Sequence, residues 1–259
     1  ANSFTAVATV KGKQVYQTLS NVDITASGAT ATDATTIKAG AFKNGKTTSN
    51  KVELGDGKND VQFTSISGYN STGVRHDAQM IFGSAAGDFA QKLTVTGSVN
   101  GMDYIGKSNG TDTVIINGSL ANASFEVGAG DNSLEVGKTA KDITYAGTDG
   151  KDEVSFGGAV TNSDFDLGAG TNSFTAKNTK DVLQTLSNVN IDASGDTATD
   201  ATTIEAGAFK NGAAASNHIT LGNGNNDVTL GSIAGYKSKV AQYNVQMNLG
   251  SAGKDFDQK

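Results

Sequence analysis

The chain has 259 residues, a formal net charge of −6 and a pI near 4.9, with 33 Gly and no Cys, Pro or Trp. Without Cys there is neither a disulfide framework nor a thiolate metal site. An acidic chain whose Lys are scattered and whose one Arg is Arg75 offers no basic stripe to track phosphates, so nucleic acid is excluded as an expected partner.

No apolar run approaches the roughly 20 residues that span a bilayer, so no transmembrane segment is expected, and the opening ANSFTAVATV lacks the charged and apolar stretches of a signal peptide. Residues 17 to 92 then begin a unit that returns at residues 184 to 259 without a gap: QTLSNVDITASGATATDATTIKAGAFKNG comes back as QTLSNVNIDASGDTATDATTIEAGAFKNG. Self-similarity of that length is the signature of a repeat architecture. Within the first copy, residues 34 to 42 have the only spacing that would suit a short helix, of about two turns.

Between the two copies lies a finer repeat of about twenty residues, regular over residues 110 to 176. Gly110, Gly130, Gly150 and Gly170 are each followed two residues later by Asp112, Asn132, Asp152 and Asn172, and four later by Val114, Leu134, Val154 and Phe174. Phe125, Tyr145 and Phe165 keep the same step. Alternation of period two places Val114 and Ile116 on one side of a strand and Thr113 and Ile115 on the other. Such a unit cannot bury its apolar face alone, but stacked copies make a continuous core. The expected fold is therefore all-β: a single elongated parallel β-solenoid (a β-helix or β-roll) over residues 1–259, with about 20-residue rungs and longer insertions. With strands about 4.8 Å apart, ten to twelve rungs would make a body on the order of 50 Å long. Gly-x-Gly pieces at 55–57, 128–130, 168–170 and 222–224 are the expected corners, because Gly tolerates positive φ. Phe125, Tyr145 and Phe165 are expected to stack inside.

The corners carry the candidate site. Asp56, Asn59 and Asp60 follow Gly55 and Gly57; Asp112, Asn132, Asp152 and Asn172 head the regular rungs; Asn226 and Asp227 occupy the corresponding place in the second copy. Gly55-Asp56-Gly57-Lys58-Asn59-Asp60-Val61 resembles the Gly-rich nonapeptide of RTX (repeats-in-toxin) proteins, and 222–228, 128–134 and 168–174 resemble it in part. The resemblance implies a β-roll that binds Ca²⁺ between rungs, with these nine residues as the metal ligands. The residue types leave a second reading open. Ca²⁺ wants several oxygen ligands with negative charge among them, whereas Asn59, Asn132, Asn172 and Asn226 are amides. Stacked amides both donate and accept, so they can bond along the coil as a structural ladder.

Catalytic readings are thin. His76 aligns with Tyr243 in the other copy and His218 with Lys51, so neither imidazole is shared between copies. Arg75 with Asp77 is the one pair that would suit a polysaccharide lyase. Thr30, Thr32, Thr35 and Thr36 and their repeats at 197, 199, 202 and 203 would suit an ice-binding face, but the regular rungs carry no Thr column. The expectation is a non-enzymatic structural protein, extracellular or on a bacterial cell surface: a surface-layer, adhesin-stalk or filament subunit. Asn2-Ser3-Phe4-Thr5-Ala6 reproduces Asn172-Ser173-Phe174-Thr175-Ala176, and Lys259 matches Lys92, so both ends fall inside the pattern. Head-to-tail self-association through open solenoid ends is the expected partner interaction, with a cell-surface polysaccharide or host molecule as a further ligand.

Overall fold

The computed structural model describes residues 2–11, 13–30, 32–46, 50–71, 74–84, 87–107, 109–195, 197, 199–212 and 217–250. These residues form strands, turns and bends, with no helix among them. Strands stack in parallel as a β-solenoid of about nine turns with roughly 24 residues per rung. The rungs are thus fewer and longer than the regular stretch alone suggests, because rungs within the repeated copies carry excursions. Contacts divide the chain into two compact units, Ala1–Ala129 and Gly130–Lys259, and each is a solenoid in its own right.

In the N-terminal unit one column of strands runs Asn2–Thr5, Thr35–Lys38, Asn59–Phe63, Gln91–Val95 and Asp112–Ile116. The register is Asn2↔Thr35, Thr36↔Asp60, Asn59↔Gln91 and Gln91↔Asp112. The C-terminal unit repeats this column with Asn132–Val136, Asp152–Phe156, Asn172–Ala176 and the first halves of Thr202–Lys210 and Asp227–Ala234. Burial alternates along these strands as period two requires: Val114 and Ile116 are buried, and Thr113 and Ile115 are half-buried on the outer side.

The segment expected to allow a helix is two strands, Thr35–Lys38 and Ala41–Lys43. Parallel neighbours take Thr35 to Lys38 on both sides, Asn2–Thr5 and Asn59–Phe63. The β-branched Thr35, Thr36 and Ile37 suit that pleated setting better than an isolated two-turn helix, which nothing would stabilise. Tertiary pairing outweighs the weak local spacing.

The other strands are long and bent. In Leu120–Gly128 the alternation breaks at Ala121 and Asn122, then resumes with Ala123, Phe125 and Val127 inside. Asn122 has φ 51°, and Asp142, Asn162 and Asn188 take φ 56°, 51° and 55° in the equivalent bends. Asn and Asp are the L-residues that best tolerate the left-handed region, since the short polar side chain bonds locally. Their side chains also run from rung to rung: Asn122 donates to Asn100 at 2.8 Å, Asn162 to Asp142 at 3.2 Å and Asn188 to Asn162 at 2.9 Å. At the opposite corners Gly57, Gly128, Gly130, Gly168 and Gly170 take the expected positive φ, whereas Gly55, Gly222 and Gly224 do not. Gly170 has a second reason to be Gly, because a Cβ there would come within 1.9 Å of the Gly150 carbonyl in the rung below.

The interior is filled by aliphatic and aromatic side chains. Phe125 lies 6.1 Å from Tyr104, and Tyr145 and Phe165 occupy paired positions in register. Phe165 also meets Phe174 at 5.0 Å and Phe156 at 5.5 Å, edge to face across the core, a geometry that adds to burial. Phe174→Ala, which removes a fully buried ring from this cluster, is expected to lower unfolding stability by about 3–5 kcal/mol. A urea titration followed by circular dichroism measures the loss, and a change below about 1 kcal/mol would contradict this packing.

Candidate functional site

The candidate corner residues separate into three directions. Asn59, Asp112, Asn132, Asp152, Asn172 and Asn226 point inward and are each at most 3% exposed. Asp60 and Asp227 follow them in the chain and therefore face outward; Asp60 accepts from Gln62 at 3.2 Å. Asp56 sits in the turn, where its carboxylate accepts from the Ser84 backbone N–H and hydroxyl, both at 2.8 Å. No group of three or more acidic or His side chains that could hold a metal converges among the described residues.

The inward set forms a buried column with a recurring bond pattern. Asn172 Oδ1 accepts the backbone N–H of Asp152, Asn226 Oδ1 that of Thr202, and Asn59 Oδ1 that of Thr35, at 3.0, 3.0 and 3.1 Å. Each amide nitrogen of these Asn donates to the carbonyl of a Gly four residues earlier: Asn172 to Gly168, Asn226 to Gly222 and Asn59 to Gly55. The residue type follows from this task. At the corner a buried N–H on one rung and a buried C=O on the next need partners, and an amide supplies an acceptor and a donor on one side chain. Leaving either unmatched would cost about 1–3 kcal/mol.

Gln91, Thr35 and Thr202 belong to the same column; Gln91 was no candidate, and Thr35 and Thr202, weighed for an ice-binding face, are buried instead. Gln91 accepts from Asn59 Nδ2 at 2.7 Å and donates to the Gly57 and Phe89 carbonyls. The longer Gln side chain does the work of Asn from a place in the column where no Asx stands. Irregular rung lengths hide it in the sequence, whereas the bend residues Asn122, Asp142 and Asn162 do keep a twenty-residue step and were legible in principle.

The two aspartates occupy a different niche. A Cβ on Gly147 would fall 1.7 Å from Asp152 Oδ2, and one on Gly106 would fall 1.7 Å from Asp112 Oδ2. Each carboxyl therefore fills the space that a side chain at that position would take. At the positions that follow in register, the next rungs carry Val127 and Leu167 in place of Gly106 and Gly147, and both are buried. A second difference accompanies the first: Tyr104 and Tyr145 precede the glycines by two residues, where the Asn rungs have Phe125 and Phe165. Asp-headed rungs thus read Tyr-x-Gly then Asp, and Asn-headed rungs read Phe-x-Val or Phe-x-Leu then Asn. Burial pushes the Asp152 carboxyl up to about 6, against the opposing hydrogen bonds from Asn132 and the Tyr145 hydroxyl, with nearby Asp131 adding to the rise.

The residues weighed for catalysis lie apart from this column. Arg75 pairs with Asp77 at 2.6 Å and donates to the Asn122 carbonyl at 2.7 Å. His76 faces Tyr69 across the hairpin formed by Tyr69–Ser71 and Val74–His76, while His218 meets Asp192 at 3.0 Å in the other unit. A cleft of about 90 Å³ in the N-terminal unit is lined by Tyr16, Lys38, Gln62 and Thr96, among others. One of about 170 Å³ in the C-terminal unit is lined by Glu135, Ser155, Lys177 and neighbours. Both are smaller than the 300–1,000 Å³ usual for small-molecule sites.

Comparison with protein-family models, with curated proteins and with solved structures finds no match. The site is therefore read from its own chemistry. Asn172→Ala, which strips a partner from both the Asp152 N–H and the Gly168 carbonyl, is expected to cost about 1–3 kcal/mol. Gln242→Ala, which breaks the exposed bond to Asn244, is expected to cost less than about 1 kcal/mol. Chemical denaturation of the two variants side by side checks the contrast.

Proposed function

We propose that the chain is a non-enzymatic structural protein, extracellular or on a bacterial cell surface, in which stacked rungs provide a stiff spacer and open solenoid edges provide assembly. The observation that carries this reading is the buried column, whose amides are committed to backbone groups of adjoining rungs. Side chains so engaged serve cohesion between rungs. On this reading the column works without Ca²⁺: its carboxylates stand singly, and the outward Asp60, Asp227 and turn residue Asp56 do not complete a ligand set around it. The RTX-like corners would then share the turn shape of that family and not its metal.

The edges support the assembly half of the proposal. Ile66 and Met80 are fully buried, beneath Val99 and Tyr104 of a following strand, yet their counterparts in the second copy, Ile233 and Met247, are 54% and 39% exposed. Phe4 is 41% exposed where its counterpart Phe174 is 0%. Among the described residues these core positions lack a cover, and a second copy adding strands in parallel is the chemistry that fits them.

Two measurements test this. EDTA is expected to leave the melting temperature unchanged, and titrated Ca²⁺ is expected to add no stability. A site filled at a hundred times its Kd would add about 2.7 kcal/mol, and such a gain would favour the calcium-binding alternative. Sedimentation and electron microscopy of the 259-residue chain are expected to reveal assemblies that lengthen with concentration and are lost on Ile233→Lys with Met247→Lys. Uniform monomers at all concentrations would defeat self-association through these edges.

A further inference from the structure

We propose that the two end rungs form a matched joint between copies of this chain: the first half of Asp227–Ala234 in one molecule takes Asn2–Thr5 of the next as a parallel neighbour, the second half takes Leu19–Ser20, and Gln246–Leu249 takes Asp23–Ala26. This joint presupposes the assembly reading above and gives that assembly its register. Among the described residues each of these strands is paired on one side. At one end Asn2–Thr5 lies beside Thr35–Lys38, Leu19–Ser20 beside Ala41–Lys43 and Asp23–Ala26 beside Lys51–Leu54. At the other, Asp227–Ala234 lies beside Thr202–Lys210 and Gln246–Leu249 beside His218–Leu221. A strand paired on one side offers a row of backbone donors and acceptors to another strand.

The register comes from rungs inside each unit that already make such a joint. In the N-terminal unit the counterparts of the last rung, such as Asp60 for Asp227 and Met80 for Met247, carry a following rung: Asp60↔Lys92, Val61↔Leu93, Ile66↔Val99, Gln79↔Asp103 and Met80↔Tyr104. In the C-terminal unit the counterparts of the first rung sit on a preceding one: Glu153↔Ser173, Val154↔Phe174, Val160↔Leu186, Asp164↔Asn190 and Phe165↔Ile191. Ser173 and Phe174 correspond to Ser3 and Phe4, and Leu186, Asn190 and Ile191 to Leu19, Asp23 and Ile24. Taken together, the two internal joints set Asp227 against Ser3, Val228 against Phe4, Ile233 against Leu19, Gln246 against Asp23 and Met247 against Ile24.

The inward pairs of the joint are apolar on both sides. Val61, Ile66, Met80, Phe174, Leu186 and Ile191 are fully buried under or over a neighbouring rung, whereas Phe4, Ile233 and Met247 are exposed and Val228 and Ile24 half-buried; only Leu19 is already buried. The outward pairs agree in charge. Gln246 against Asp23 repeats the residue types of Gln79 against Asp103, an amide donor beside a carboxylate, and Asp227 against Ser3 repeats the acid and hydroxyl of Glu153 and Ser173. In these pairs no like charges meet. A slip of one residue would turn Phe4 outward and lay Ser3 on the core, so the apolar positions fix the register. The first and last rungs are different surfaces, which makes the contact heterologous and able to repeat from copy to copy.

Disulfide trapping tests the register in a chain that has no native Cys. Parallel neighbours lie about 4.8 Å apart, within the Cα separation that a disulfide spans, and Ser3, Asp23, Asp227, Thr229 and Gln246 are all exposed. Chains carrying Ser3→Cys with Asp227→Cys, or Asp23→Cys with Gln246→Cys, are expected to shift under mild oxidation from monomer to a ladder of multimers on a non-reducing gel, and to return to monomer on reduction. Ser3→Cys with Thr229→Cys, which requires a slipped register on the same face, is expected to stay largely monomeric. Equal trapping of slipped and aligned pairs, or no trapping of the aligned pairs while sedimentation still records assemblies, overturns this joint and leaves the assembly reading standing; monomers throughout overturn both. Hydrogen exchange of the native chain reads the same joint without a substitution. Amides of Asn2–Thr5 and of Gln246–Leu249 are both expected to exchange more slowly as concentration rises, and slowing at one end alone overturns the pairing of first rung with last.

Discussion

A coiled chain that stacks on itself in parallel leaves one recurring difficulty: at each corner, backbone donors and acceptors turn inward where no water reaches them. The inward Asx side chains at Asn59, Asn172 and Asn226 meet that constraint, each joining the N–H of the rung before to the carbonyl of its own corner glycine. The core packing of both units follows from it. Once the corner is tied, the next two alternate positions fall inside, and residues such as Val154 and Phe156 or Phe174 and Ala176 complete a dry layer. Hydrogen bonds in such a setting contribute little net energy when made and cost much when missing, so the column specifies register more than it adds to stability.

Two solutions to the inner corner coexist. One fills the volume with an aliphatic side chain and an amide; the other empties the facing position to glycine and fills it with a carboxyl, accompanied by a tyrosine. Volume is conserved while polarity is exchanged, consistent with interiors that tolerate substitution when the total is kept. Change at one position alone would leave either a clash, as Gly147 against Asp152 Oδ2 makes plain, or a void.

Much of this architecture was legible in the residues. The Gly-x-Asx step at 110, 130, 150 and 170 announced stacked rungs, and the alternating Val114 and Ile116 gave the inward side correctly. What the pattern could not supply was direction at the corner, because a Gly-rich turn bearing Asn and Asp is written the same way whether its side chains reach outward to an ion or inward to a backbone. Gln91 escaped notice since the excursion before it breaks the spacing, and Ala34 to Phe42 offered a helical spacing that parallel neighbours override. The Tyr-Gly-Asp association was also present in the letters, but it acquires meaning only when Gly147 and Asp152, on different strands, are seen to share one space.

Rung length is the freest variable in the molecule. After Asn2–Thr5 the chain makes a hairpin of Val7–Val10 and Lys13–Tyr16, whereas after Asn172–Ala176 the matching corner is a short turn closed by the bridge from Lys177 to Leu183. Both paths return to the same register, with Gly40 bonding the Gln17 carbonyl and Gly207 bonding that of Gln184. The corner therefore behaves as a socket whose contents are decoupled from the coil. A peptide grafted between Ala6 and Gln17 would be displayed on a body whose layers do not register its presence, which makes this fold a natural carrier for changing epitopes.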